Sequence, residues 1–176
     1  GIAFRQAPLA KYSGPGHWND PDMLVVGKVG WGANVRPTRL SKSEQVTHLT
    51  MWALLAAPLL VGCDLAQLDD FTLAVLGNPE VIDVDQDPLG QQAVPVRREP
   101  TFEVWSRPLF DGSIAVGLIN KGPEYQQVSV NYRDLGLPPM CLARDLWKRK
   151  DIGVRKGRVA KKLPPHGASL LKIWPA

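Results

Sequence analysis

Between residues 41 and 57, apolar residues recur at steps of three and four, the spacing of one face of an α-helix: Val46, Leu49, Trp52, Ala53 and Ala56. Ser41 and Glu44 stand three residues apart just before this pattern, as in a capping box, in which the two side chains accept hydrogen bonds from free amides of the first turn. Pro58 cannot continue a helix. The pattern therefore predicts one helix over residues 41–57.

A continuous apolar run follows at residues 59–63 and indicates a strand buried on both faces, as parallel strands under helices are. Asp70 can then cap a short helix over residues 71–76 that ends at Gly77. The order of loop, helix, buried strand and helix is typical of an α/β barrel or a doubly wound sheet.

From about Gln92 onward the helical periodicity disappears, and six short strand-like runs alternate with turn residues. The runs are residues 102–106, 113–119, 127–132, 141–147, 158–163 and 168–174. Short strands separated by Gly and Pro predict a small antiparallel β-sandwich. The change of pattern places a boundary near residues 87–90, so the sequence predicts one part at 1–90 and a second at 91–176.

With 44% apolar and 22% charged residues, the chain has the composition of an ordinary soluble globular protein. Its longest apolar stretch, residues 51–63, is broken by Pro58 and is too short to span a bilayer, so no membrane partner is predicted. The sequence begins at Gly1 and contains no targeting segment, which leaves the compartment open; a secreted or periplasmic location is compatible with it.

Basic residues are concentrated near the C-terminal end. Residues 140–176 hold 10 of the 21 Lys and Arg with only two acids, which leaves 11 basic and 15 acidic residues in the first 139. The basic residues alternate with apolar ones, and no aromatic platform or nucleic-acid motif accompanies them. We therefore predict the solvated face of a sheet and no nucleic-acid partner.

Neither the cysteines nor the closely spaced aspartates predict a metal site. Cys63 and Cys141 lack metal-ligand spacing and have apolar neighbours, which favours buried free thiols over a disulfide. Asp83, Asp85 and Asp87 alternate like calcium ligands, but the Gly and terminal Glu of a calcium loop are missing. A capped turn between the two parts is the favoured interpretation of these three acids.

The stretch richest in candidate chemistry is residues 14–24, which read GPGHWNDPDML. Prolines fix φ and glycines allow sharp reversals, so this stretch predicts a rigid loop that presents its polar groups. Asp20 and Asp22 flank Pro21, and residues two apart in an extended segment point to the same side, here together with Trp18. Two acceptors beside an aromatic ring suit a polyhydroxylated ligand, although an ordinary Asx-Pro turn accounts for the same residues equally well.

Paired carboxylates can hydrolyse a glycosidic bond, one as proton donor and one as nucleophile or base. Asp20 and Asp22 are too close in sequence for those two roles, because such pairs flank the bond from separate elements. Trp31, in the irregular stretch after the loop, is a candidate second aromatic wall. The residues by themselves therefore predict a sugar-binding loop on an α/β scaffold.

Several motifs, in order along the chain, resemble the α-galactosidases of glycoside hydrolase family 27. They are GPGHWNDPDML at 14–24, WALLAAPL at 52–59, GCD at 62–64, NPEVI at 78–82 and QDPLG at 86–90, with weaker matches to the family's C-terminal β domain in FEVW at 102–105 and RDLW at 144–147. The resemblance implies an α/β plus all-β fold: the last part of a (β/α)₈ TIM barrel at residues 1–90, followed by a small antiparallel β-sandwich domain at 91–176.

By the same resemblance, residues 59–63 are the eighth barrel strand, and Asp22 and Met23 are substrate-binding residues that line the galactose pocket. Trp18 and Asp20 match the same motif and are expected to shape that pocket. The family's nucleophile and acid/base are aspartates on earlier strands. Neither has a counterpart here, so both are expected upstream of Gly1 and no catalytic residue is expected in this chain.

The implied activity is retaining hydrolysis of terminal α-linked galactose in an oligosaccharide or glycoconjugate, with no metal or cofactor. A whole barrel takes roughly 250 residues, so the full-length parent is expected to be the enzyme and this chain alone to be inactive. Two alternatives stay open: an α-N-acetylgalactosaminidase of the same family, and a non-catalytic carbohydrate-binding or interaction module.

Overall fold

The computed structural model describes residues 1–176. Its helices are α1 (Lys42–Leu55), α2 (Asp70–Leu76) and α3 (Pro79–Asp85), and 3₁₀ segments occur at Ala3–Arg5, Ala7–Tyr12, Gly32–Asn34, Leu65–Gln67 and Tyr132–Leu135. Its strands are β1 (Lys28–Val29), β2 (Arg36–Pro37), β3 (Val94–Arg98), β4 (Phe102–Pro108), β5 (Ile114–Asn120), β6 (Gln126–Asn131), β7 (Met140–Asp145), β8 (Lys150–Lys156), β9 (Arg158–Leu163) and β10 (Ala168–Pro175). None of the helices combines the length and the apolar character needed to cross a membrane.

Helix α1 begins at the predicted capping box. The Glu44 N–H donates to Ser41 Oγ at 3.3 Å, and the Ser41 N–H donates to Glu44 Oε2 at 2.8 Å. Ala56 has a φ of +49°, and this left-handed residue ends the helix two residues before Pro58. The predicted helix and its cap are confirmed, with an end slightly earlier than expected.

Helix α2 begins one residue earlier than predicted, because Asp69 rather than Asp70 is its N-cap. The Thr72 N–H donates to Asp69 Oδ1 at 2.7 Å. Adjacent aspartates offer two possible caps, and only the one whose backbone is extended can accept this hydrogen bond.

The sequence prediction missed helix α3. Asn78 caps it by accepting from the Glu80 N–H at 3.1 Å, and Pro79 occupies the first helical position, where its missing N–H costs nothing. The capped turn predicted for Asp83, Asp85 and Asp87 is therefore wrong for the first two, which lie within this helix. Asp87 follows the helix in a turn and caps that turn by accepting from the Leu89 N–H at 3.1 Å.

Residues 94–175 form the predicted antiparallel β-sandwich. A six-stranded sheet has the order β3-β4-β5-β10-β7-β8, and a smaller sheet pairs β6 with β9. All six predicted runs correspond to strands. The two strands of the sandwich that were not predicted, β3 and β8, lie at the edges of the larger sheet, where no residue is buried and the apolar alternation is weak.

The larger sheet has helices on one face and the smaller sheet on the other. Alternate residues divide between two apolar cores: Trp105 and Leu170 pack on the helix side with Leu54 of α1, whereas Val104 and Leu171 pack against β6 and β9. The molecule thus has three layers, and the helices rest on the sandwich.

Two arginines fasten the helices to this sheet. Arg107 is fully buried, and its Nη1 donates to the Ala53 carbonyl near the end of α1 at 3.0 Å. Arg144 makes a two-pronged ion pair with Glu80 of α3, at 2.8 and 2.7 Å, and its hydrogen bonds lower the pKa of the Glu80 carboxyl. Because the guanidinium group is planar and donates in fixed directions, such contacts determine the orientation of the helices relative to the sheet as well as their distance from it.

The buried strand predicted at residues 59–63 is wrong. The segment makes only isolated bridges with the preceding loop; in the parallel one, the Leu24 N–H donates to the Leu60 carbonyl at 2.7 Å. Leu60 and Val61 are 50% and 40% exposed. No second strand flanks this segment among residues 1–176, so the apolar run is left partly uncovered.

Two smaller predictions agree with the structure. Cys63 and Cys141 are free thiols, Cys141 buried and Cys63 partly so, and burial raises the pKa of both. The C-terminal basic residues are mostly exposed along β8 and its flanking turns, as expected for a solvated sheet face.

Candidate functional site

The loop at residues 14–24 opens with a tight turn. Gly14 and His17 exchange backbone hydrogen bonds of 2.8 and 3.0 Å. Gly16 has a φ of +93°, which a glycine adopts without steric cost. This turn forms the start of the loop, and His17 in it is exposed.

Asn19, to which the sequence assigned no role, anchors the middle of the loop. Its Nδ2 donates to the Leu9 carbonyl and to Gln92 Oε1, each at 2.8 Å. Gln92 is buried and donates in turn to the Gln6 carbonyl at 2.9 Å. The amides of Asn19 and Gln92 connect the loop to the N-terminal segment and to the stretch before β3. Asn19 and Gln92 are far apart in sequence, so no local sequence pattern could predict this connection.

Asp20 and Asp22 form a turn around the buried Pro21. The Asp22 N–H donates to Asp20 Oδ1 at 2.8 Å, and the Met23 N–H donates to Asp22 Oδ1 at 2.7 Å. Asp22 has a φ of +81°, so the segment is not extended there, and the prediction that Asp20, Asp22 and Trp18 share one side through strand alternation is wrong. The backbone at Asp22 is held in a conformation that non-glycine residues rarely adopt.

Helix α1 supports this turn from behind. Trp52, which is 5% exposed, donates its indole N–H to the Asp22 carbonyl at 2.8 Å. His48 lies one helical turn earlier, with its ring centroid 4.0 Å from that of Trp52, and its Nε2 accepts from the Val25 N–H at 3.1 Å. The two side chains therefore hold the backbone on both sides of Met23.

His48 acts here as a neutral acceptor. Burial lowers its pKa to about 4, because the charged imidazolium would lose hydration, and an interaction with the Met23 backbone opposes this only in part. The Nε2 that accepts from Val25 therefore carries no proton at neutral pH, which places the ring proton on Nδ1.

Met23 stands on the open face of the loop with 41% of its surface exposed. Gly62 lies directly beside it: a Cβ built on this glycine would come within 3.1 Å of Met23 Cβ and 3.2 Å of the Leu24 carbonyl. The Gly62 N–H also donates to that carbonyl at 2.9 Å. Gly62 thus allows the close approach that sets the position of Met23, a role that sequence analysis did not assign to it.

The two tryptophans predicted to accompany the acidic residues, Trp18 and Trp31, are both exposed to solvent. Trp18 is 48% exposed and lines a cavity of about 310 Å³ with residues 56–58 and 85–88, and none of Asp20, Asp22 or Met23 lines that cavity. Trp31 is 82% exposed and forms no wall with them. Hydrogen bonds thus join Asp20, Asp22 and Met23 in one turn, whereas Trp18 lines a different cavity and Trp31 is exposed.

Asp20 and Asp22 share one turn, so the loop does not place two carboxylates on opposite sides of a bond. Asp22 and Met23 are both exposed, and the second carboxylate oxygen of Asp22 makes no hydrogen bond within the loop. A free acceptor and a thioether suit a sugar hydroxyl and an apolar ring edge. The Asp20 carboxylate is occupied in the turn. A substrate-binding role for Asp22 and Met23, and a pocket-shaping role for Trp18 and Asp20, stay predictions.

Two protein-family models match the chain. The model described as α-galactosidase A matches residues 2–87, and the model described as the α-galactosidase C-terminal β-sandwich domain matches residues 99–173. The predicted resemblance is confirmed by these two matches, which together take in most of the chain.

Similar curated proteins are longer than this chain. α-Galactosidase 2 of Arabidopsis thaliana is 39% identical over 174 residues, which cover 98% of this chain and 42% of that protein. α-Galactosidase A of Homo sapiens is 36% identical over 181 residues, which cover 97% of this chain and 40% of that protein. The chain spans about two fifths of the length of the curated relatives it matches.

Solved structures share the fold. A β-L-arabinopyranosidase of glycoside hydrolase family 27 from Geobacillus stearothermophilus, in complex with arabinose, superimposes with a TM-score of 0.92 at 38% identity and covers 99% of this chain and 41% of its own. A candidate α-N-acetylgalactosaminidase from Bacillus halodurans gives a TM-score of 0.81 at 26% identity, with 92% and 40% covered. These matches confirm the predicted fold class.

Proposed function

Since this chain belongs to glycoside hydrolase family 27, the α-galactosidase family, we propose that it is the C-terminal part of an enzyme that hydrolyses terminal α-linked galactosides with retention of configuration. The observation that carries the proposal is the pair of family matches, one to residues 2–87 and one to 99–173. The substrate is the terminal galactose of an oligosaccharide or glycoconjugate, and the reaction takes place at two carboxylates without a cofactor.

Asp22 and Met23 bind the galactose ring. Asp22 accepts hydrogen bonds from ring hydroxyls and Met23 contacts the apolar edge, while Trp52 and His48 hold the backbone beneath them. Asp20 acts on the loop rather than on the sugar, through its 2.8 Å contact with the Asp22 N–H. Trp18 shapes the loop from its other side, towards residues 56–58.

The nucleophile and the acid/base come from parts of the enzyme outside residues 1–176. A retaining pair stands about 5 Å apart on either side of the bond, whereas Asp20 and Asp22 share one turn. The same missing parts cover the exposed apolar residues of the first 90 residues, such as Leu60 and Val61, in a complete (β/α)₈ barrel. In this arrangement, residues 1–90 are the end of the barrel and residues 91–176 the β-sandwich domain.

The test is an assay of the full-length enzyme on aryl α-D-galactoside, with NMR detection of the first anomer released. We expect turnover with an α-galactose product, and no turnover from residues 1–176 alone. A folded full-length protein that binds galactose without turnover would contradict hydrolysis and favour a non-catalytic carbohydrate-binding module.

The same assay also tests which sugar the full-length enzyme hydrolyses. Relatives of similar fold include a β-L-arabinopyranosidase and a candidate α-N-acetylgalactosaminidase. Comparing kcat/KM for aryl α-D-galactoside, aryl α-N-acetylgalactosaminide and aryl β-L-arabinopyranoside therefore distinguishes the three activities. We expect the galactoside to give the highest value, and a higher value for either of the others would replace the proposed substrate.

A further inference from the structure

A second groove lies between helix α3 and the six-stranded sheet, and no residue of the 14–24 loop lines it. Its volume is about 380 Å³. Asp83 of α3 is on one wall, the β4–β5 turn with Asp111 and Ser113 is on another, and Lys172 and Trp174 of β10 lie on the sheet between them. The groove is therefore built by both parts of the chain.

Most charged groups in the groove already have partners. Lys172 pairs with Asp111 at 2.6 Å, and Glu80 pairs with Arg144. Asp87 accepts from the Phe110 N–H at 2.9 and 3.1 Å through its two oxygens. These contacts hold the side chains that line the groove in place and leave few charged groups without a partner.

Two polar groups in the groove have no partner. The carboxylate of Asp83 is exposed and makes no hydrogen bond or ion pair, and the indole N–H of Trp174 has no acceptor although the residue is half-buried. A free acceptor on α3 and a free indole donor on the sheet thus line the same groove, and the neighbouring ion pairs hold its walls in place.

This combination matches the chemistry of a neutral pyranose. An indole face packs on the C–H groups of a sugar ring, and a carboxylate accepts from adjacent hydroxyls. Four acids and two bases line the groove, which gives it an excess of negative charge and disfavours phosphate, sulfate or a uronic acid. Its volume is within the range of small-ligand pockets.

We propose that this groove is a second saccharide site, in which a neutral pyranose stacks on Trp174 and hydrogen-bonds to Asp83. The site is separate from the galactose-binding loop and does not depend on the proposed hydrolysis. Its ligand is a mono- or disaccharide unit, held through contacts that the two parts of the chain provide jointly.

The test follows the ¹⁵N-labelled indole signals of the full-length protein during titration with D-galactose, D-glucose and D-mannose. We expect at least one of these sugars to shift the Trp174 signal with saturation, at a dissociation constant on the order of 1 mM. Asp83→Asn is expected to weaken that binding by about tenfold, because one charged hydrogen bond to the sugar is lost. Two control variants should leave the binding unchanged: Asp70→Asn, at an exposed acid outside the groove, and Asp22→Asn.

Three results would overturn the proposal. They are an unmoved Trp174 signal with all three sugars, equal binding by Asp83→Asn and the unsubstituted protein, or tighter binding of D-glucuronate than of the neutral sugars. Trp174→Leu lacks the reporting indole, so its titration is followed through the backbone amide signal of Ser113 in the same groove, and we expect binding to be abolished. If that variant does not fold, Asp83→Asn decides the question because Asp83 has no partner to lose.

Discussion

The two parts of the chain, residues 1–90 and 91–176, cover their apolar side chains to different degrees. Of the 16 large apolar residues that are exposed, 11 lie in the first part and five in the second. Strands in the second part pair into two sheets that cover each other, whereas the first part has only the two-residue strands β1 and β2. The sandwich therefore closes its own core, and the part that bears the site loop depends on its neighbours.

The two parts also differ in role: the sandwich supports the packing of helix α1, and α1 in turn supports the loop that carries the candidate binding residues. Helix α1 obtains its burial from the sandwich, since Trp52 and Leu54 share a core with Trp105 of β4. The loop that α1 supports has exposed side chains and a backbone at Asp22 with φ of +81°. A rigid sheet can thus hold an unusual loop conformation through one helix, as functional sites often require.

The largest expected effect is at the shared core. Trp105→Ala removes an indole that is fully buried between sheet and helices and lies edge-on to Phe4 at 6.5 Å. We expect the free energy of unfolding to fall by about 3–5 kcal/mol, in one cooperative transition seen by both circular dichroism and fluorescence. Trp31→Ala, at a tryptophan 82% exposed, is the control and should leave stability unchanged. Two separate transitions would show that the two parts do not share a core.

A smaller effect is expected at the contact between the two parts. Burial raises the pKa of Asp85 to about 6, and its Oδ1 has no hydrogen-bond partner. The folded state therefore holds a proton that the unfolded chain releases between about pH 4 and 6, so this residue makes the protein less stable as pH rises through that window. Asp85→Asn should add about 1–3 kcal/mol at pH 7 and little at pH 4.

Urea denaturation at pH 4, 5 and 7 measures this change. Asp83→Asn is the matched control, because Asp83 lies on the same helix and is exposed. A loss of stability at pH 7 would mean that the nearby Arg107 stabilises the Asp85 carboxylate more than burial penalises it. Equal gains at all three pH values would mean that ionisation of Asp85 is not the cause of the gain.

Trp52→Phe tests the connection from helix to loop. Phenylalanine keeps most of the buried ring but cannot donate to the Asp22 carbonyl. We expect a loss of about 1 kcal/mol in stability. We also expect a higher KM for the galactoside at similar kcat, since Asp22, which we propose binds the sugar, is less well positioned. Trp147→Phe also loses an indole hydrogen bond, to Thr50 Oγ1, and serves as control, with lower stability and an unchanged KM.

The smallest effect on stability is expected at Asp22 itself. Asparagine tolerates a positive φ and retains the oxygen that accepts from Met23, so Asp22→Asn should change the free energy of unfolding by less than about 0.5 kcal/mol. We expect kcat/KM of the full-length enzyme to fall by about 10- to 100-fold, as one charged hydrogen bond to the sugar is weakened. Unchanged kinetics would remove Asp22 from the proposed pocket.

Local sequence was enough for features whose cause lies within a few residues. Ser41 and Glu44 cap α1 as predicted, because a capping box needs only its own four residues. Six strands of the sandwich were predicted because each of them has buried residues, and a strand buried on at least one face must alternate or be continuously apolar. The family motif at 14–24 was recognised for the same reason, as a short contiguous pattern.

Tertiary structure alone decided what depends on partners distant in the chain. The edge strands β3 and β8 are held by backbone pairing to a neighbour and need no apolar pattern. Residues 59–63 have the composition of a buried strand but lack a flanking strand among residues 1–176. Asn19 anchors the loop through Gln92, and Trp52 holds Asp22 at a φ that no residue pattern predicts. A hydrophobic pattern predicts which face of a helix or strand will be buried, and only the tertiary structure determines which neighbouring element packs against that face.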